Sequence, residues 1–174
     1  MPPSRRLYLL RHAKSSWDDP EQREFDRPLA RRGRRAASAL GRALKARGLR
    51  PDLVLCSTAA RAQETWRLVA AELPAAPPLR LLRSLYLAAP SRLLERIRSA
   101  DPAAETLLLV GHNPGLENLA TQLAGPGSAP AALEALSAKF PTAGLAVFEL
   151  DGPWDAIAPG TARLVEFVTP KALG

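Results

Sequence analysis

The 174-residue sequence contains one cysteine, two histidines and few aromatic residues, which make up 5% of the chain. A single cysteine, Cys56, excludes an intramolecular disulfide, and with only two histidines beside it a structural zinc site is not expected. No segment approaches the roughly 20 apolar residues of a membrane-spanning helix. The N-terminal apolar run is too short for a secretory leader. We therefore expect a cytoplasmic protein that needs no metal and no cofactor.

Two familiar phosphate-binding loops are also missing. The sequence has no glycine-rich loop that ends in Lys-Ser or Lys-Thr, so nothing predicts a nucleotide-binding P-loop. Cys56 and Arg61 are separated by four residues, one short of the Cys-x5-Arg spacing of cysteine phosphatases. Any phosphate chemistry must therefore rely on other side chains.

Acidic residues are fewer than basic ones, 17 against 24, which gives a net charge of +7. Twenty of the basic residues are arginine and 32 residues of the chain are alanine. The excess of basic over acidic residues therefore reflects a general drift in amino-acid composition. The densest basic run, residues 31–35, has no interleaved aromatic residues to stack on bases. We interpret it as a solvated helix face. Docking to an acidic protein or phosphate stays open as an alternative, and nucleic-acid binding is not favoured.

Short apolar runs alternate with helical patterns along the chain, which is typical of an α/β fold with a largely parallel sheet and helices on both faces. Pro28 is expected to begin the first helix, Ser57-Thr58 to cap the second and Ser91 to cap the third. Residues 125–130 are expected to form a loop. We predict a single three-layer domain with strands at residues 6–10, 52–56, 79–82, 106–110, 145–150 and 162–168, and helices at 29–47, 59–73, 91–99 and 116–123.

Three of the predicted strands end in polar residues. The first ends in Arg11-His12, with Ser15 close behind, and the second is followed by Arg61, one turn into a helix. The third ends in His112. In open α/β sheets ligands bind beyond the carboxyl ends of the strands. If the strands are neighbours, the two imidazoles and two guanidiniums converge on one pocket.

Such a pocket is suited to phosphoryl transfer. Arginine binds phosphate oxygens in pairs and stays charged at any working pH. A neutral imidazole is a competent nucleophile toward phosphorus, and a second imidazole, when protonated, stabilises the charge on the transferring group. This chemistry requires no metal ion.

These residues resemble the histidine phosphatase superfamily, whose fold is phosphoglycerate-mutase-like. Its motifs correspond here to Arg11-His12-Ala13, the segment 57–61 and His112. Segments 7–17 (LYLLRHAKSSW), 26–33 and 111–115 (GHNPG) are similar to the small SixA-type phosphohistidine phosphatases. The resemblance covers nearly the whole chain and implies one histidine-phosphatase-like domain over residues 1–174.

The resemblance also implies roles for individual residues. His12 would be the nucleophile that becomes phosphorylated, and Arg11, Arg61 and His112 would bind and polarise the phosphoryl group. Ser15 would be a lesser contact. Ala13 replaces the glycine of the superfamily, a change of one small residue for another.

Many members of the superfamily use a carboxylate to protonate an alcohol leaving group, and the corresponding segment here, residues 83–90, has none. Glu95 lies further on, inside a helical pattern, and is a weaker candidate for the acid. An alkoxide needs that proton, whereas a phosphoramidate nitrogen protonates readily. Tyr86 either lines the entrance or packs as a core or rim aromatic. Trp17 and Trp154 are expected to be packing residues.

The sequence therefore favours a metal-independent phosphatase that forms a phosphohistidine intermediate on its own chain and hydrolyses phosphohistidine on a signalling protein. The resemblance points to a histidine phosphotransfer domain of a two-component relay as the partner. A small-molecule phosphomonoesterase and a non-catalytic phosphoprotein-binding module remain alternatives. The sequence does not indicate an oligomeric state.

Overall fold

The computed structural model describes residues 4–173. The expectation about a secretory leader partly concerns residues 1–3, which lie outside the described residues. Within residues 4–173, every helix falls short of the length and apolarity that crossing a bilayer requires. The strands and helices, in chain order, are β1 (Arg5–Arg11), α1 (Arg31–Ala46), β2 (Leu53–Ser57), α2 (Ala60–Ala70), β3 (Leu79–Leu82), α3 (Pro90–Arg98), β4 (Thr106–Gly111), α4 (Gly115–Leu123), α5 (Pro130–Ala138), β5 (Leu145–Leu150), β6 (Arg163–Val168) and α6 (Pro170–Leu173).

One six-stranded sheet with the order β3-β2-β4-β1-β5-β6 forms the centre of the molecule. Strands β1, β4, β2 and β3 pair in parallel, whereas β5 is antiparallel to both of its neighbours. The predicted largely parallel sheet is confirmed. Because β4 lies between β1 and β2, the three strands with polar carboxyl ends are adjacent.

Side chains alternate between two hydrophobic cores, one on each face of the sheet. Leu7 and Leu9 of β1 face a core that includes apolar residues of α3, α4 and α5. Tyr8 and Leu10 face the other core, to which α1 and α2 contribute. This alternation is the two-residue period of a strand buried on both sides. The predicted three-layer arrangement is confirmed.

The boundaries of the four predicted helices differ from the observed ones by at most three residues, and the largest difference at a helix start is in α1. Pro28 does not begin α1, because Leu29 pairs with Ser15 in an isolated bridge and the Ala30 N–H donates to the Lys14 carbonyl at 2.8 Å. The segment before α1 therefore adds a short strand-like contact at the end of β1, and the helix begins only at Arg31.

The two predicted side-chain caps were wrong. Ala59 is the N-cap of α2, and the Ser57 hydroxyl lies against His112 instead. Pro90 occupies the first turn of α3, so Ser91 lies inside that helix. The sequence prediction also missed α5. Only Ala132 and Leu136 of this nine-residue helix are buried, so its hydrophobic periodicity is weak.

Two glycines allow helices to pack directly on loops beside the carboxyl ends of the strands. A β-carbon at Gly33 in α1 would overlap the carbonyl oxygen of Lys14, and one at Gly115 in α4 would overlap the carbonyl oxygen of Ala88. Only glycine permits such close backbone approach. Both residues lie in the segments that carry the resemblance, and their role is to hold these loops in place.

Candidate active site

The strand register brings the two histidines together. Arg11 at the end of β1 is opposite Gly111 at the end of β4, so the next residues, His12 and His112, are neighbours. The His12 N–H donates to the Gly111 carbonyl at 3.2 Å. The two imidazole centroids are 5.2 Å apart, with the rings inclined by 51°. The convergence expected from the sequence is therefore present.

His12 is held as a neutral imidazole with one nitrogen free to react. Its Nδ1 lies 2.8 Å from the Ala13 carbonyl oxygen, which only accepts, so Nδ1 carries the proton. Its Nε2 accepts a long hydrogen bond of 3.4 Å from the Arg61 Nε–H. Burial lowers the pKa of His12 to about 4, and the neighbouring guanidiniums contribute to that decrease. The lone pair on Nε2 is therefore available at neutral pH.

His112 has one nitrogen bound and one without a partner. Its Nε2 lies 2.8 Å from the Ser57 hydroxyl oxygen, whereas its Nδ1 is buried without a hydrogen-bond partner among the described residues. Burial lowers the pKa of His112 to about 3, with further lowering by His12 and the arginines. Ser57 Oγ also accepts from the Ala59 N–H, so its own proton is free to donate to Nε2. That arrangement leaves a proton on Nδ1 for a ligand.

The arginines are fixed by backbone carbonyl groups. Arg61 is 2% exposed, and its guanidinium donates to the Glu24 carbonyl at 2.8 Å. Arg11 donates to the Phe140 carbonyl at 3.0 Å, an acceptor that it shares with the Asn113 side chain. Burial lowers the pKa of Arg11 from its ordinary value, but a guanidinium stays charged at working pH. The site therefore holds fixed positive charge around neutral imidazoles.

A third arginine, Arg27, and a carboxylate, Glu24, belong to the same group. Arg27 donates to the Ser15 hydroxyl and forms a salt bridge of 3.0 Å with Glu24. The same Glu24 oxygen lies 3.0 Å from Arg61. Arg27 lies in segment 26–33, which carries the resemblance, but the sequence predicts no role for it. Both residues lie in the long connection between β1 and α1, whose path a sequence pattern does not define.

A cavity of about 230 Å³ lies beside these side chains. Its lining includes all four of the principal residues expected from the sequence, together with Ser15. Within residues 4–173, no group of three or more Asp, Glu, His or Cys side chains is placed to hold a metal ion. The lining residues are Arg11, His12, Lys14, Ser15, Trp17, Glu24, Arg27, Arg61, Leu87, His112, Asn113 and Thr142.

Other residues singled out in the sequence have different environments. Tyr86 is half-buried and contacts the His112 ring edge-on at 5.4 Å, so it packs beside the site. Glu95 is exposed on α3, pairs with Arg92 and does not line the cavity. Trp154 is buried as expected, but Trp17 is 70% exposed, so its prediction as a packing residue was wrong. The thiol of Cys56 is buried and its pKa is raised to about 12 by burial.

This fold, with paired histidines at the carboxyl ends of adjacent strands, is that of the histidine phosphatase superfamily, and the chain belongs to that superfamily. The family model described as histidine phosphatase superfamily (branch 1) matches residues 7–85.

The similarity extends to SixA phosphohistidine phosphatases. The structure superposes on a candidate SixA from Nakamurella multipartitia with a TM-score of 0.84 and 30% identity, covering 98% of this chain and 99% of that one. A candidate SixA from Agrobacterium tumefaciens gives a TM-score of 0.78 and 34% identity, covering 97% and 99%. The uncharacterized protein Rv1276c of Mycobacterium tuberculosis is 42% identical over 163 residues, 93% of this chain and 100% of that protein. These comparisons support a phosphatase of the histidine phosphatase type.

Proposed function

We propose that this protein hydrolyses phosphohistidine on a signalling protein, through a phosphohistidine intermediate on His12 and without a metal ion. The observation that carries the proposal is the neutral His12 imidazole, with its proton on Nδ1 and its Nε2 facing the Arg61 guanidinium. Similarity to the SixA structures supports the substrate class. A histidine phosphotransfer domain as partner, a two-component relay and a cytoplasmic location belong to the same proposal.

In the first step, His12 Nε2 attacks the phosphorus atom of the substrate, and the bond from phosphorus to the substrate nitrogen breaks. The substrate imidazole, protonated at its other nitrogen, leaves as a neutral ring. The phosphorylated His12 ring becomes cationic while it keeps its Nδ1 proton, which the Ala13 carbonyl accepts. No net proton transfer is needed, because each imidazole keeps its own N–H.

The cationic side chains stabilise the phosphoryl group as it moves. Arg11, Arg27 and Arg61 supply paired donors to the oxygens, as preorganised charges do in a water-poor site. The unpartnered Nδ1 of His112 donates a further hydrogen bond when Ser57 donates to Nε2. The buried His112 pKa is low in the free protein, and a bound dianion would raise it.

In the second step, water attacks the phosphorus atom and the bond from phosphorus to His12 Nε2 breaks. Both water protons leave with the phosphate as dihydrogen phosphate, and His12 returns to its neutral form. Charge and atoms balance without an added base. The enzyme is then ready for another turnover.

The carboxylates near the cavity determine which leaving group the site can protonate. Glu24 lines it, but hydrogen bonding to Arg27 and the charge of Arg61 lower the pKa of Glu24 against the opposing effect of burial. It is therefore ionised at neutral pH and poorly suited to protonate an alkoxide. Glu95 does not reach the cavity. A phosphorus–nitrogen bond, whose nitrogen leaves without such an acid, fits this site best.

A phosphomonoesterase is the second candidate, because Glu24 does place one carboxyl group at the cavity. A single assay separates the two functions. Purified protein is given a phosphorylated histidine phosphotransfer domain and an aryl phosphate side by side, with a chelator present. We expect faster turnover of the phosphoprotein, and a strong ester preference would reject the proposal in favour of the second candidate.

Trapping the intermediate tests the role of His12. Brief incubation with ³²P-labelled phosphoprotein, followed by alkaline quench, should leave acid-labile label on the wild-type chain. His12→Ala should carry no label and should not turn over. Leu133→Ala, an exposed change on α5, is the matched control and should behave like wild type. Turnover retained by His12→Ala would reject the mechanism.

A further inference from the structure

Two exposed apolar side chains line the cavity that holds the histidines. Among the described residues, five large hydrophobic side chains are exposed, and two of them, Trp17 and Leu87, belong to the lining of this cavity. A large aromatic residue that is 70% exposed loses the stabilisation that burial would provide. Such residues at a concave site are typical of a surface that is covered by a partner.

Trp17 is held in an ordered position despite its exposure. The Arg27 guanidinium lies 3.6 Å from the Trp17 ring centroid, within the range of a cation–π contact. Arg27 itself is buried and fixed by Ser15 and Glu24. One face of the indole therefore covers the phosphate-binding arginine, and the rest of the ring is presented to solvent at the edge of the cavity.

Leu87 lies on the same rim in a strained backbone conformation. Its φ is +49°, in the left-handed region that leucine rarely adopts, and its side chain is 54% exposed. Packing of that side chain therefore does not explain the conformation. The close contact of Gly115 with the Ala88 carbonyl holds the turn in place. Strain that the surrounding structure maintains at a cavity mouth points to a function.

The size of the cavity determines how much of a substrate it can take. At about 230 Å³ it is smaller than the roughly 300–1,000 Å³ of sites that enclose a whole drug-sized ligand. It accommodates the phosphoryl end of a substrate and leaves the remainder outside, against the rim. Exposed Lys14 lines the same cavity as Arg27 and Arg61, so the cationic side chains of the lining complement the negative phosphoryl group.

We propose that Trp17 and Leu87 form a docking rim for a protein substrate, which contacts them with apolar side chains next to its phosphohistidine. This proposal rests on the proposed function, because it specifies how the same site recognises a protein rather than a small phosphoramidate. The rim adds affinity for the part of the substrate that lies outside the cavity.

The test compares two substrates across rim variants. Trp17→Ala, Leu87→Gly and the control Leu133→Ala are assayed on a phosphorylated histidine phosphotransfer domain and on phosphoramidate. Leu87→Gly removes the side chain and relieves the positive-φ strain, so loss of folding does not explain its effect. For each rim variant we expect kcat/KM on the phosphoprotein to fall about tenfold more than on phosphoramidate, as for interface residues of this kind. Leu133→Ala should match wild type on both.

Inhibition by inorganic phosphate detects an indirect effect through Arg27. If Trp17→Ala weakens phosphate inhibition by the same factor as it lowers phosphoprotein turnover, Trp17 acts only by holding Arg27, and the proposal is overturned. Equal losses on both substrates, or no loss on either, also overturn it. If wild type turns over neither substrate, the proposed function fails instead, and that outcome is visible before any variant is compared.

Discussion

The neutral state of the two buried histidines makes stability depend on pH in a calculable way. Burial lowers the pKa of His12 to about 4 and that of His112 to about 3, whereas the pKa of an unfolded histidine is about 6.5. Between these values the unfolded chain binds more protons than the folded one. The contribution of the two neutral histidines to the free energy of unfolding is therefore fully present above about pH 6.5. It decreases as the pH falls toward their pKa values in the folded protein.

The size of the effect at pH 5 follows from these pKa values. For His12, the difference between its pKa in the folded and the unfolded protein corresponds to a loss of about 2 kcal/mol in the free energy of unfolding between neutral pH and pH 5. His112 gives a loss of similar size over the same pH range. The pKa of Glu24 is lowered, so its contribution is lost only below the ordinary glutamate range and does not dominate this window.

Urea denaturation at several pH values from 7.5 to 5.0 provides the measurement. Wild type is compared with the double variant His12→Asn, His112→Gln. Because the chain has only two histidines, the double variant removes all histidine titration. We expect it to lose most of the pH slope, whatever its absolute stability. Equal slopes in the two proteins would refute the idea that the site holds desolvated, neutral imidazoles. Saturating inorganic phosphate should flatten the wild-type slope, because a bound anion favours the protonated rings.

Three further changes test the surroundings of the site. Gly33→Ala should lower the free energy of unfolding in urea by about 1–3 kcal/mol, because the new methyl group overlaps the backbone of Lys14. The control Gly152→Ala, whose methyl group meets nothing within 4 Å, should change it by no more than about 0.5 kcal/mol. Equal effects of the two changes would contradict the close packing at Gly33. Glu24→Gln should strengthen competitive inhibition by inorganic phosphate about three- to tenfold, because it removes a negative charge beside the proposed phosphate site. Weaker inhibition would instead show that the Glu24 charge is needed to hold the arginines in place. Ser57→Ala removes the hydrogen bond to His112, so it should lower kcat about tenfold more than it changes KM. It should also alter the ¹⁵N chemical shifts of the His112 ring. Unchanged shifts would exclude a role of Ser57 in positioning His112.

The sequence predicted the sheet and the central residues because both follow from short-range patterns. Alternating strands and helices place His12 and His112 at the carboxyl ends of strands, and adjacent strands bring them together. Glu24 and Arg27 could not be assigned roles in the same way. They lie in the connection of about 20 residues between β1 and α1, where hydrogen bonds to Arg61 and Ser15 determine the path.

Surface exposure was predicted correctly for one class of residue and not for another. The arginines of segment 31–35 are exposed on α1, as the solvated-face interpretation expects. Trp17 is predicted from the sequence to be a packing residue, but its side chain is largely exposed. Its ring instead lies against the Arg27 guanidinium, ten residues further along the chain, and a pattern of hydrophobic periodicity does not reveal such a contact. Ser57 likewise satisfied a capping pattern, but the imidazole of His112 competes for its hydroxyl.

The contacts of Gly33 with Lys14 and of Gly115 with Ala88 are made by main chain, so the loops they hold do not depend on the identity of the neighbouring exposed side chains. Exchanging Trp17 therefore leaves these main-chain contacts in place, whereas Leu87, with a φ of +49°, is restricted to residues that tolerate the left-handed region, such as glycine or asparagine. Engineering a new partner preference would start at these two positions, with the two glycines left untouched as the fixed support.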